Sequence, residues 1–405
     1  MRRTHGCARS LHGLFYTPMQ TTRWAATIYC GISLSVSGCG ASDAPRSDAP
    51  SAQAIAVVQV ETVTTVQSSA GAFLAPTPER LVPAYIERSM EAASAGPLEQ
   101  EERAKVDLAL LFRSTAAGSA RQRLDAQLSS ANAAPWSAID HSFPHVEQSG
   151  AAVHWPLALS AAAVAELDST VSPEWRGWQD FRGLGVRGST GTNELSVPVA
   201  TLDFETSGLS SPLVLSAEGG TLVVTNRSSQ AITRALLIYS HAGGVGVTAV
   251  EALEPGERRV TVLGPKEHPA GVLLELARAQ LTDFFSASVG PELAPALAAA
   301  KSIPFLETQG LRLIALLGEE QEPAAVSFSA PVSTRQRVVL SHSEILKPEE
   351  EARVVREVMD PSVGIEQALA SFGRFTRAKL EFAAQSADAS ANVRAAELLT
   401  ELLGR

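Results

Sequence analysis

Hydrophobic and polar positions alternate most clearly between Glu194 and Leu263. Leu195, Val197 and Val199 interleave with Ser196, Pro198 and Ala200. The segments PLVLS, TLVVTN, ALLIYS and RRVTVL follow, divided by the turn sequences EGG, NRSS and EPGE. Short period-two runs at near-regular spacing predict an antiparallel β-sandwich-like unit over 193–265. Upstream, Val106, Ala109, Leu110 and Arg113 fall at i, i+3, i+4, i+7, and Leu124 precedes Leu128 by four, so 79–128 is expected to be helical. Pro97 suits the first turn of a helix there. Residues 133–192 show no clear period. Downstream, Leu273, Ala277, Leu281 and Phe284 share one helical face. The runs LRLIALL, AVSFSA and RVVLSHSEIL read as strands, and 348–403 reads as helices. Pro348 followed by Glu349, Glu350 and Glu351 places proline and acids where a helix N-terminus favours them. The expected class is α+β, with the small sandwich flanked by helical segments.

The N-terminus carries a different pattern. Arg23 precedes an apolar run from Trp24 to Val36 that is too short to span a bilayer and long enough for an export signal. Val36, Ser37, Gly38 and Cys39 then resemble the bacterial lipobox. This resemblance to the lipoprotein class implies a diacylglyceryl group and acyl chains such as palmitate on Cys39, with cleavage just before it. Several acyl chains anchor firmly where one holds weakly. Met19 is a plausible start for a signal of ordinary length. Gly40 in place of an aspartate is similar to lipoproteins sorted to the outer rather than the inner membrane. The following GASDAPRSDAPSAQA is small and polar and reads as a flexible tether. The expected layout is a signal over 1–38, lipidated cysteine and tether over 39–56, and a helical and irregular Trp-containing region over 57–192. The sandwich-like unit then covers 193–265, and a mixed domain ending in helices covers 266–405.

Charge and cysteine content narrow the function. The whole chain carries 33 basic and 43 acidic residues. Four arginines and no acid precede Cys39, so the remainder has a net charge of −14. Such a surface repels phosphate backbones, which argues against nucleic-acid binding. The cysteines are Cys7, Cys30 and Cys39, so the exported body would have no disulfide, zinc ribbon or thiol nucleophile.

Candidate chemistry is sparse. His141, His145 and His154 could form a metal site with Asp140 behind them, although Pro144 disfavours the helix that would align the first pair. Gly183, Gly185 and Gly188 spell GxGxxG, but a turn and strand rather than a helix are expected after them, so no nucleotide or other cofactor is expected. His241 to Gly246 reads as a hairpin connection. There is no GxSxG elbow and no SxxK. Ser341 to Glu344 holds His342 and Glu344 at the end of a strand, without triad spacing. The stretch PEWRGWQDFRGLGVRG sets Trp175, Trp178 and Phe181 three apart, with Arg176, Arg182 and Arg187 among them. It reads either as a binding patch, since Trp and Arg dominate hot spots and aromatic faces stack on sugars, or as packing between helices and sandwich.

These readings point to a membrane-anchored envelope lipoprotein that binds or scaffolds, its partners being the membrane through Cys39 and an envelope protein or glycan. The alternative is an envelope hydrolase, metal-dependent if the three histidines seed its site. A solute-binding protein would require two alternating α/β lobes, which the pattern lacks.

Overall fold

The computed structural model describes residues 55–75, 103–114, 122–130, 138–149, 152–161, 175, 177–179, 181–190, 193–207, 211–218, 221–241, 244–262, 270–318 and 324–404. The export leader, Cys39 and the tether as far as Ala54 lie outside them, as do Arg176 and Pro97. Among the described residues no helix is long and apolar enough to cross a membrane. The fold is a mixture of helices and sheets, as the sequence implies.

The strands run in the order β1 Ile55–Gln67, β2 Phe73–Leu74, β3 Arg103–Ser114, β4 Gln122–Ser130, β5 Ala138–Phe143, β6 Glu147–Ser149, β7 Ala152–Ser160, β8 Gly185–Thr190 and β9 Asn193–Val197. They continue with β10 Ala200–Ser207, β11 Leu213–Glu218, β12 Thr221–Asn226, β13 Ala235–His241, β14 Gly244–Val250, β15 Arg258–Val262, β16 Gly310–Leu317, β17 Ala324–Phe328 and β18 Val332–Ile345. The helices are α1 Ala270–Val289, α2 Ala294–Ser302, α3 Pro348–Met359, α4 Ile365–Phe372, α5 Thr376–Ala384 and α6 Ala389–Leu403.

The central sheet has the order β14-β13-β16-β18-β1-β3-β10-β5, with β2 paired to β1. Only β1 and β18 in it run parallel, from Val57 beside Arg335 to Gln67 beside Ile345. Both faces of its middle are covered. Leu311, Leu313, Ala315 and Ile345 pack on Leu213, Leu215 and Val224 of the three-stranded sheet β11-β12-β15. The same face carries Gln59 and Arg335, and Arg335 donates to the Val326 carbonyl of the six-stranded sheet (β17-β4-β7-β8-β9, with β6 on β7). The other face meets α1, α2 and the turn of π-helix at Ile303–Glu307, through Ile314, Leu340 and Phe305. Helices α3 to α6 bury a separate apolar cluster that includes Val354, Val358, Leu369 and Leu398. The acid-rich start of α3 is a working contact: Glu351 accepts from both the backbone N–H and the hydroxyl of Ser69, each at 2.6 Å.

Two expectations change. Residues 103–114 and 122–130 are strands, not helix. In β3 the side chains from Ala104 to Val106 and from Leu108 to Phe112 are buried because both faces are covered, so the apolar run has no single-face period to read. In β4 the buried residues are Leu124, Ala126 and Leu128. A pair four residues apart fits period two as well as 3.6, and Ala126 decides for the strand. The described residues of the 57–192 region are thus mostly strand. The stretch 193–265 does form the expected strands, but they are divided among all three sheets instead of closing on one another. Residues 55 and 56, assigned to the tether, already belong to β1.

Candidate functional site

The central sheet carries an unusual number of polar side chains, and its register sorts them. In an antiparallel pair, residues directly opposite project to the same face. Thr62 faces Asp107, Asp107 faces Asp203, and Asp203 faces His141. These four therefore form one row across β1, β3, β10 and β5. The next row holds Thr64, Lys105 and Glu205. All lie on the face that α2 covers, since Lys301 of α2 reaches Asp107 at 4.0 Å. Lys105 approaches the same carboxylate at 3.6 Å. Helix α5 closes the row from another side: Arg377 lies 3.5 Å from Glu205 and 3.0 Å from Glu381.

The aromatic stretch borders this row. Trp175 stacks obliquely on Phe143 with centroids 4.7 Å apart and lies 6.4 Å from His141. Gly177 permits that position, because a Cβ there would stand 2.2 Å from Ala300 Cα of α2. Trp175, Trp178 and Phe181 are buried at 3–4% exposure. They do not form an exposed patch. Arg182 is exposed, and Arg113 caps the Phe181 ring at 5.1 Å.

A second polar cluster occupies the same face, further along the sheet. His342 Nε2 lies 2.8 Å from Glu344 Oε1, and Thr64 Oγ1 lies 3.4 Å from His342 Nδ1. Arg312 pairs with Glu344 at 2.8 Å. Its guanidinium also donates to the carbonyls of Pro304, Phe305 and Thr308, clamping the π-helical turn. Phe305 packs edge-on to the His342 ring. The side chains of His342, Glu344 and Arg312 are 0–3% exposed, so a substrate has no route to them without local opening.

The three histidines proposed as a metal site do not meet as one. His141 stands in the central sheet and His154 in the six-stranded sheet, where it pairs with Glu147 at 3.7 Å. His145 is exposed. Among the described residues no three His, Cys, Asp or Glu side chains converge as metal ligands. The GxGxxG glycines run into β8, a strand. His241 closes the β13–β14 hairpin opposite Gly244, as its glycines imply.

No protein-family model matches the chain. No curated protein matches it either. Among solved structures, the yeast delta-COP-I mu-homology domain complexed with a Dsl1 WxWxV peptide aligns over 72% of this chain and 96% of its own, with 8% identity and a TM-score of 0.29. The yeast delta-COP-I mu-homology domain also aligns at 8% identity, with the same coverage and a TM-score of 0.28. A likeness this slight carries neither fold nor function across.

The site residues that the sequence hid are Thr62, Lys105, Asp107, Thr201 and Asp203. Their signal was an acid inside an otherwise apolar strand, Asp107 in KVDLALLF and Asp203 in ATLDF. Buried charge without need is rare, so such a residue marks structure or function.

Proposed function

We propose that this chain is a lipid-anchored binding or scaffold protein of the bacterial envelope. Cys39 carries the lipid, the outer membrane is its more fitting address, and residues 40–54 tether a body of sandwich-like stacked sheets and helices. The observation that favours binding over hydrolysis is the His342–Glu344–Arg312 cluster. Its imidazole, carboxylate and guanidinium are sealed inside and spent on holding β16, β18 and the turn before them. A hydrolase needs its base within reach of substrate.

The test is metabolic labelling of cells expressing the full chain with radioactive palmitate, followed by membrane fractionation. Label entering the wild-type protein but not Cys39→Ser, with the variant released from membranes, supports the anchor. Unlabelled wild-type protein overturns it. Hydrolysis of peptidoglycan or envelope esters by the purified full chain, abolished in His342→Ala, would overturn the binding role.

A further inference from the structure

One end of the central sheet is left open. Among the described residues β14 pairs only with β13, so one side of its backbone has no strand beside it. Such an edge invites pairing, and proteins blunt it with charge, proline or a bulge. The other outer strands follow that rule. β5, β9, β11 and β15 each carry a charged residue, and β17 has its Val326 carbonyl taken by Arg335. β14 reads GVGVTAV, with no charge, no proline and an unbroken register against β13. Nothing among the described residues requires glycine at 246. Its φ is not positive, and a Cβ there would meet only the Tyr239 carbonyl oxygen, at 3.9 Å. A glycine inside a strand weakens it and often marks a place where another backbone comes close.

We propose that two copies of this chain pair through β14, antiparallel and about a two-fold axis at Val247. The strand complements itself in that register. Gly246 lies opposite Thr248 of the second copy, Val245 opposite Ala249, Gly244 opposite Val250, and Val247 opposite itself. Each larger side chain off the axis thus meets a glycine or an alanine. Opposed residues share a face, so the exposed Thr248 occupies the space over Gly246, beside Tyr239. The strand brings no charge to the contact, although the chain has a net charge of −10. Helix α1 extends the same surface. It packs on Val245 and Val247. Arg278 of α1 turns towards α2 and the sheet centre, bonding Ser302 and Glu307. Leu276, two residues earlier, lies about 200° away round the helix. It therefore overhangs the open rim, 53% exposed. The two-fold axis sets the leucine of each copy against the other's rim. That rim is about 24 Å long and, strand and helix together, about 15 Å tall. It falls below the roughly 800 Å² per partner of a standard interface, which fits a reversible dimer.

The pairing goes beyond the anchor and the binding role and rests on neither, so palmitate labelling and the following test can fail separately. The test uses the full chain with Cys7→Ser, Cys30→Ser and Cys39→Ser, free of lipid and of every native thiol. Sedimentation equilibrium across micromolar concentrations should show the mean mass climbing from one chain towards two. Thr248→Lys, at an exposed position, sets a lysine on the edge and should weaken the dimer about tenfold or more. Leu276→Glu should weaken it too, and circular dichroism of both variants should match the parent. Opposed antiparallel residues stand about 4.5–5.5 Å apart at Cα, within disulfide reach. Val247→Cys in the same background should therefore cross-link on mild oxidation, while Val393→Cys, on the distant and more exposed face of α6, should not. A single-chain mass throughout overturns the proposal, and leaves the rim to a strand from a different protein. A dimer undiminished in both surface variants, or Val247→Cys linking no faster than Val393→Cys, overturns it as well.

Discussion

Asp107 and Asp203 stand directly opposite each other on neighbouring antiparallel strands, two acids at a position where like charges repel. The arrangement persists because Lys105 lies 3.6 Å and Lys301 4.0 Å from Asp107. The acids belong to the sheet, while one of the lysines belongs to a helix laid over it, so the charges hold helix and sheet together.

Lys105 is accordingly the more critical partner. Replacing it by Met removes a buried cation and leaves two facing carboxylates, an expected loss of about 3 kcal/mol. Adding Asp107→Asn to that variant should recover most of it. Urea unfolding of the single and double variants measures both, and an additive double variant would show that the two residues are uncoupled.

Arg312 cannot be replaced by lysine. Its fork serves Glu344 and three carbonyls at once, and an ammonium cannot reproduce that geometry. Both Arg312→Lys and Arg312→Met should cost about 3–5 kcal/mol, as expected when a buried pair loses one member. The loss should be nearly the same at low and high salt, since buried pairs are weakly screened.

Lys379 predicts a pH dependence. Its amine lies over the rings of Phe372 and Phe375 at 5.2 and 5.9 Å, and burial holds its pKa below the usual lysine value, against the attraction of Glu350, Glu344 and Glu357 and with repulsion from Arg353. A depressed lysine pKa means the unfolded chain binds the extra proton. The penalty is present in full below the folded pKa and disappears as pH rises to the unfolded one. Lys379→Met should therefore be more stable than wild type near neutral pH, and the advantage should vanish at strongly alkaline pH. Melting temperatures across that range decide it.

Gly177→Ala should be disruptive despite its small size. The new methyl would meet the backbone of Ala300, which cannot turn aside as a side chain can. The Trp175 turn must lift from α2, and a red-shifted tryptophan emission with a lower melting temperature is the expected result.

The sequence revealed elements wherever one side of an element is wet or a turn is marked. β11, β12, β13 and β16 were legible, as were α1, the hairpin at His241 and the proline-led start of α3. It failed at two strands that are dry on both sides, although the equally buried β16 was legible from its apolar run between turn residues. β1 and β3 are covered on two faces, so their polar residues point into packed layers and mimic no simple period. β4 failed for another reason, a spacing that two periods share. The grouping of 193–265 into one unit failed because local pattern specifies strands, not which sheet each joins; β10 pairs with β3, over ninety positions earlier. The candidate row was invisible for the same reason: Thr62, Asp107, His141 and Asp203 meet only through long-range register.

The parallel pairing of β1 with β18 has a consequence for synthesis. A ribosome delivers Ile55–Gln67 long before Val332–Ile345, yet the two must lie side by side in the middle of the sheet. Until then one rim of β1, rich in Val and Thr, has no strand beside it and invites pairing with the wrong chain. Closing so distant a contact is slow, and truncation anywhere before residue 332 should yield aggregates instead of a smaller folded protein.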